Sequence, residues 1–173
     1  MTNLINTLFY GVNGTFVWSE HLGKVILTAL LSMVPTFEGR YALVGAQAMG
    51  MPAIPAYLIA LVFSTLPMPF IFLLLRPILD LMYRLPIGFI QKFAAWVDRH
   101  AANKAGGVNK KGLLGLYLFV ALPVPGTGVW TGTAIATVLK MDRRRAALMI
   151  VLGNITACLI TTLITYLGVR IFS

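Results

Sequence analysis

The stretch Pro35-Thr36-Phe37-Glu38-Gly39-Arg40-Tyr41 interrupts an apolar segment and decides how the chain can fold. The uncharged residues 25–34 precede it, and the uncharged residues 42–53 follow it. Each apolar arm is too short to cross a bilayer, because the hydrocarbon core needs about 20 residues of helix. We therefore expect a re-entrant hairpin that enters the membrane, turns at Pro35 and returns to the same side.

Glu38 and Arg40 lie at the turn of this hairpin, where charge is unexpected. Ionisable groups inside a membrane usually serve a function, and broken backbone persists there only when protein or a wet cavity surrounds it. The two residues are therefore the main candidates for a functional site. A second interpretation stays open, in which an ion pair between them only holds the hairpin together.

The composition indicates an integral membrane protein with a single domain of 173 residues, 58% of them hydrophobic and 11% charged. The net charge of +9 comes from basic residues that flank apolar segments, which is typical of membrane topology and anionic-lipid contact. We do not expect nucleic-acid binding, because no soluble element carries a basic stripe with interleaved aromatic residues. Cys158 is the only cysteine, so we expect neither a disulfide nor a clustered metal site, and a packing role for the thiol.

The rest of the chain repeats the same plan. An uncharged span over 53–75, kinked at Pro67 and Pro69, precedes an amphipathic surface helix over 76–104 that is broken at Pro86. Residues 106–112 are expected to form a loop. A second short arm, 113–122, then reaches the break Pro123-Val124-Pro125-Gly126-Thr127-Gly128. The arm 129–139, a basic cluster over 140–145 and an uncharged span over 146–169 follow, while residues 4–18 suit an interfacial helix.

Residues at the breaks and boundaries of the first half align with residues at the corresponding places of the second half. Pro35 aligns with Pro123 at an offset of 88, and Met51-Pro52 aligns with Met141-Asp142 at an offset of 90. Small residues recur every fourth position after each break: Ala42, Ala46 and Gly50 in the first half, and Gly128, Gly132 and Ala136 in the second. The predicted fold is an all-α membrane protein with two repeats, about 22–75 and 112–170, joined by an amphipathic linker over 76–111.

The distribution of basic residues predicts the topology. Eleven of the 14 Lys and Arg residues fall within 76–111 and 140–145, so these segments are expected to be cytoplasmic. The hairpins then enter from opposite sides as an inverted repeat, with breaks that meet near the midplane, an arrangement typical of alternating-access carriers.

The breaks favour an anionic ligand. Half-helices expected to start near Phe37, capped by Thr36, and near Thr127 or Gly128 would offer free N–H groups to anions. The guanidinium of Arg40 adds a planar fork of N–H donors that suits a phosphate. Burial would let Glu38 take up a proton and so couple transport to the proton gradient. The candidate substrate or coupling residues are Thr36, Glu38, Gly39, Arg40, Gly126, Thr127, Gly128 and Trp130. The residues that break the hairpins are Pro35, Pro123 and Pro125.

The Pro-x-x-Glu-x-Arg break and the run Leu122-Pro123-Val124-Pro125-Gly126-Thr127-Gly128-Val129-Trp130-Thr131-Gly132 resemble the small multidrug export protein family of bacteria and archaea. The resemblance covers residues 22–169 and implies a multi-pass protein of the prokaryotic cytoplasmic membrane. That family is similar to the DedA superfamily, which implies paired re-entrant hairpins and movement of polyprenyl-phosphate or phospholipid carriers between leaflets. Glu38 and Arg40 match the acidic and arginine residues of DedA hairpins in kind, but this chain is shorter and lacks a long soluble insertion.

Three functions stay open at this point. The first is a proton-coupled carrier or flippase for an anionic lipid headgroup such as a polyprenyl phosphate. The second is export of small amphipathic drugs, with Glu38 as the partner of a cation, and the third is a structural or assembly protein or a channel. We do not expect an enzyme or a cofactor, since no catalytic or metal-binding constellation appears. The expected partners are membrane lipids, an anionic lipid-phosphate substrate and a second copy of the chain.

Overall fold

The computed structural model describes residues 21–35, 37–104, 106–124 and 126–172. These residues form helices and turns and contain no strand, which confirms the all-α prediction. The helices are α1 (Leu22–Met33), α2 (Glu38–Ala48), α3 (Ala53–Thr65), α4 (Pro67–Arg84), α5 (Gly88–Lys104), α6 (Gly106–Ala121), α7 (Val129–Val138) and α8 (Arg143–Phe172). The expected interfacial helix over 4–18, Thr36 and Pro125 lie outside the described residues.

The helices form two compact units. The first holds α1, α2 and α3 together with α8 from Ile155 onward, and the second holds α4 to α7 together with α8 up to Asn154. A core of Ala29, Ala46, Met51, Ala56 and Ile59 forms in the first unit. The core of the second unit comprises Phe72, Ala101, Leu116, Val120, Val129, Ile135, Ala136, Ala146 and Ile150. The expected single domain with these two repeats stays a prediction.

Two stretches are helical and apolar for long enough to cross a membrane. Ala53–Arg84 covers 32 residues and Arg143–Gly168 covers 26 residues, and the most apolar 18-residue stretches in them have mean hydropathies of 2.4 and 2.2. The first span was expected to end at Leu75, but the helix continues through Pro77 to Arg84. It stops just before Pro86, because the residue that precedes a proline disfavours the helical conformation. The surface helix accordingly begins at Gly88 rather than Arg76, and the break predicted at Pro86 is confirmed.

The loop expected over 106–112 is wrong. Residues from Gly106 onward are helical, and only Gly112 leaves the helical conformation, with φ 56° and ψ −130°. One glycine is enough to redirect the chain, since its lack of a side chain removes the clash that left-handed backbone causes in other residues. The remaining arm, Gly112–Ala121, is 10 residues long.

The short arms are confirmed. Helices α1 and α2 have 12 and 11 residues, and α7 has 10. At a rise of about 1.5 Å per residue each is about 15–18 Å long, roughly half of the hydrocarbon thickness. None of these helices crosses a membrane by itself.

The turns that end α2 and α7 have the same backbone hydrogen bonds. In the first, Gly50 N–H donates to Gln47 O (2.9 Å) and Met51 N–H donates to Ala46 O (3.0 Å). In the second, Lys140 N–H donates to Thr137 O (3.2 Å) and Met141 N–H donates to Ala136 O (2.9 Å). Both turns are Schellman motifs, with left-handed Gly50 (φ 80°) and Lys140 (φ 52°).

The offset of 90 residues between these turns is the offset that Met51-Pro52 and Met141-Asp142 predicted. It pairs the buried Ala42 and Ala46 with the buried Gly132 and Ala136. Matched in their order of appearance, Ala42 would correspond to Gly128. With the offset of 90 residues, Ala42 corresponds instead to Gly132, which lies one helical turn later in the second half.

Substitutions at Gly50 and Lys140 test whether the two turns depend on the same left-handed backbone conformation. No atom lies within 4 Å of the place where a Cβ at Gly50 would lie, so Gly50→Ala changes only the backbone preference and should destabilise the protein by about 1 kcal/mol. Lys140→Gly relieves the same strain and should raise the unfolding temperature in detergent, whereas the control Lys140→Ala should not. Equal unfolding temperatures for Lys140→Gly and Lys140→Ala would contradict the argument.

Candidate functional site

Glu38, Gly39 and Arg40 form the first turn of α2 and are buried. Glu38 is 7% exposed and Arg40 is 5% exposed, although both carry charge-bearing side chains. The cap position is held by Phe37, whose side chain makes no capping hydrogen bond, so the expected cap at Thr36 is wrong by one residue. Glu38 itself supplies the negative charge that stabilises a helix N-terminus.

The backbone of Glu38 is strained. Its φ of 48° lies in the left-handed region, which costs a non-glycine residue about 1–2 kcal/mol. Its N–H donates to Val34 O at 2.9 Å, a hydrogen bond that reaches across the break to the end of α1. Strain of this kind persists where the surrounding structure imposes it, and it is common at functional sites.

Arg40 lies close enough to Glu38 for their charges to interact. Cys158 is fully buried in a cluster with Leu43 and Ala60, which confirms its predicted packing role. Glu38 provides a negative charge that partly offsets the cost of burying the guanidinium. Because the two charges act on each other, proton uptake by Glu38 would leave the Arg40 charge without this compensation.

Gly39 lets the start of α2 approach α3. A Cβ at this position would lie 2.8 Å from both Ala60 O and Ser64 Oγ. The Ser64 side chain is itself buried, and its hydroxyl donates to Leu61 O at 3.2 Å. Close packing of two helices therefore requires the glycine, and the role predicted for Gly39 in substrate binding or coupling stays a prediction.

Substitution of Gly39 should be costly although alanine favours helices. In Gly39→Ala the new methyl group meets a backbone oxygen that can move only with α3, so we expect a loss of about 1–3 kcal/mol in the free energy of unfolding. The matched control is Gly45→Ala in the same helix, where no atom lies within 4 Å of the added Cβ. This control should be neutral or stabilising by up to about 1 kcal/mol. Similar unfolding temperatures for the two variants would contradict the packing role.

The second break is stabilised by its own side chain and backbone. The Thr127 hydroxyl lies within hydrogen-bond distance of the carbonyl oxygens of Leu122 (2.9 Å) and Val124 (2.8 Å). Val124 N–H donates to Leu122 O at 2.8 Å, and Gly126 has a φ of 76°. Thr127 thus satisfies carbonyl groups that the end of α6 leaves open.

Helix α7 begins where the sequence placed it. Gly128 is the cap residue, Val129 is the first helical residue and Pro123 is exposed. Trp130 is half-buried in the first turn. No charged residue occurs between residues 112 and 139, so this break is neutral whereas the first one is charged.

The sequence did not predict two basic side chains that donate hydrogen bonds to the C-terminal ends of helices. Lys24 Nζ donates to Met49 O, the cap carbonyl of α2, at 2.6 Å. Arg76 Nη2 donates to Val138 O in the last turn of α7 at 2.8 Å. Basic groups stabilise the negative end of a helix. The sequence gives no signal for these pairs, because 25 and 62 residues separate their members.

A family model described as "Putative small multi-drug export protein" matches residues 38–160 of this chain. The chain belongs to this family. The match begins at Glu38, so it includes the Glu38, Gly39 and Arg40 part of the first break and the whole of the second break. No curated protein and no solved structure matches the chain. Within the described residues no group of three His, Cys, Asp or Glu side chains is placed to hold a metal ion.

Proposed function

We propose that this protein is a membrane transporter and that Glu38 and Arg40 contact the transported molecule. The observation that carries the proposal is a pair of charged residues, both less than 10% exposed, at an interruption between two helices too short to span a membrane. Burying such charges is costly, and a membrane protein that bears them generally uses them for its substrate or for protons. Membership in a family named for export supports the same class of function.

The proposed architecture is an inverted repeat of two re-entrant hairpins in the prokaryotic cytoplasmic membrane. Support comes from the short arms and from the two Schellman turns 90 residues apart. The equal offset extends to the next helices, where Ala56 N–H donates to Pro52 O (3.1 Å) and Ala146 N–H donates to Asp142 O (2.8 Å). The cytoplasmic position of residues 76–111 and 140–145 follows from the distribution of basic residues. The relation to the DedA superfamily stays a prediction.

Opposite orientation of the hairpins can be tested by cysteine labelling in intact cells. A cysteine in place of Ala48, at the exposed end of α2, should react with a membrane-impermeant maleimide added outside. A cysteine in place of Lys140, at the exposed end of α7, should react only after the membrane is opened. The parent, whose Cys158 is buried, is the unlabelled control. Reaction of both cysteines from the same side would contradict the inverted repeat.

The first proposed substrate class is an amphipathic molecule with an anionic headgroup, such as a polyprenyl phosphate or a phospholipid. Arg40 keeps its charge at any working pH and presents donors in a fork that fits phosphate oxygens. It lies in the first turn of α2, where the helix dipole also favours an anion. The N-terminus of α7, at Gly128 and Val129, is a second and uncharged position where a helix dipole favours an anion.

Glu38 is proposed as the coupling group. While it is ionised, the carboxylate compensates Arg40 and repels an anion. A proton on Glu38 removes both effects, so an anionic headgroup and a proton bind together more favourably than either alone. Release of that proton on the other side of the membrane would then return the site to its internally compensated state.

Export of cationic amphipathic drugs is the second proposed function. The family description favours it, and the buried carboxylate of Glu38 is the group that a cation would contact. In this alternative the substrate competes with Arg40 for Glu38. The two proposals therefore assign opposite charge states to Glu38 at the moment of binding.

Glu38→Gln separates the two functions. The amide mimics the protonated carboxyl, so an anion carrier should keep its affinity for a polyprenyl phosphate but lose the pH dependence of binding. A cation exporter should lose binding of a lipophilic cation by roughly 100-fold or more, since breaking a buried charge pair costs about 3–5 kcal/mol. The measurement is the equilibrium binding of both ligands across pH to parent and variant protein in detergent.

Two further variants complete this experiment. Arg40→Lys keeps the charge but not the fork, and should weaken phosphate binding while the protein still folds. Asp80→Asn, an exposed carboxylate on α4, is the matched control and should behave like the parent. Tight cation binding by the parent that Glu38→Gln abolishes, without phosphate binding in either protein, would overturn the anionic substrate in favour of drug export.

A further inference from the structure

Helix α5 presents an ordered aromatic stripe to its surroundings. Phe89, Phe93, Trp96 and His100 are spaced four, three and four residues apart and therefore share one face. Phe89 is 80% exposed and Trp96 is 54% exposed. The rings form a stack, with centroids 5.9 Å apart between Phe93 and Trp96 and 5.1 Å apart between Trp96 and His100.

The buried face of α5 fixes how the helix is rotated. Ala94 is fully buried and Ala101 is 4% exposed, and Ala101 belongs to the core of the second unit. Lys92 and Arg99 are both exposed and lie roughly opposite these alanines, beside the aromatic stripe. Two helical turns, about 10 Å, separate their Cα atoms. Arg99 Nε donates to Ala95 O at 3.1 Å, which holds the guanidinium back at the level of Trp96.

The charge of this surface is positive. The single acidic residue of α5 is Asp98. Its carboxylate accepts a hydrogen bond from Tyr83 Oη at 3.0 Å and lies 3.9 Å from Arg76 Nη1. Asp98 is therefore committed to groups on α4, while Lys92 and Arg99 remain directed away from the core.

We propose that Lys92, Trp96 and Arg99, with Phe89 and Phe93 beside them, form a binding site for an anionic phospholipid of the bilayer. Only three residues separate the helix from the end of the 32-residue span Ala53–Arg84, which puts it beside a membrane surface. Aromatic rings suit the boundary between headgroups and acyl chains, and the two cations suit the phosphate. This site is separate from Glu38 and Arg40 and does not depend on transport.

Quenching of tryptophan fluorescence by brominated lipids tests the site directly. In a Trp18→Phe/Trp130→Phe variant of the full chain, Trp96 is the only tryptophan left. The protein is reconstituted into phosphatidylcholine vesicles that contain brominated phosphatidylglycerol or, in equal amount, brominated phosphatidylcholine. We expect the phosphatidylglycerol to quench Trp96 at several-fold lower mole fraction, since each cation near an anionic surface contributes about fivefold in affinity.

Removal of the two cations should abolish this preference. In the same background, Lys92→Gln/Arg99→Gln should bring the ratio of the two quenching constants to about one. The matched control Arg143→Gln/Arg144→Gln removes the same net charge from the exposed start of α8 and should leave the ratio unchanged. Equal quenching by both lipids in the parent, no quenching by either, or an equal drop in the control would each overturn the proposal. The quenching is read at Trp96 on α5 and requires no transport, so failure of the proposed transport function would not affect the result.

Discussion

Every backbone group that leaves helical hydrogen bonding inside a bilayer needs a partner from the protein itself, because lipid supplies none. Both breaks of this chain meet that constraint with very few residues. In the first, Glu38 N–H reaches back to Val34 O, and Gly39 packs directly against the backbone of α3. In the second, the Thr127 hydroxyl lies within hydrogen-bond distance of the carbonyl oxygens of Leu122 and Val124, just after α6. In the proposed re-entrant arrangement, this compactness is what allows the short helices on either side to be stable inside the bilayer.

The two breaks differ in electrostatics although they resemble each other in plan. The first holds a carboxylate and a guanidinium that act on each other, and the second holds no charge. A proton that binds to a pair of compensating charges changes the net charge of that site by one unit. A site without ionisable groups can distinguish ligands only by their shape and hydrogen bonding. Under the proposed transport function, this asymmetry places proton sensitivity at the first break and makes Glu38 the residue that the choice of substrate charge depends on.

Local signals in the sequence located the short helices and the breaks, but they missed the helix that begins at Gly106 and the contacts between distant residues. Prolines, glycines and uncharged runs located the short arms, the start of α7 near Gly128 and the offset of 90 residues. The continuation of α4 past Arg76 was not predictable, because the guanidinium is stabilised by Val138 O, 62 residues later. The packing role of Gly39 depends on Ala60 and Ser64 for the same reason. Long-range partners of this kind leave no mark in hydropathy or residue spacing.

The turns at Gly50 and Lys140 share a positive φ and the same pattern of hydrogen bonds but no side-chain chemistry. If the two halves descend from one ancestral segment, selection has retained the path of the backbone here while the residue drifted from or towards glycine. A comparison of the halves by residue identity would score this position as unrelated. A common origin of two repeats in such a protein is therefore easier to recognise from the backbone geometry that ends the helices than from residue identity. Packing preserves this geometry after the residues have changed.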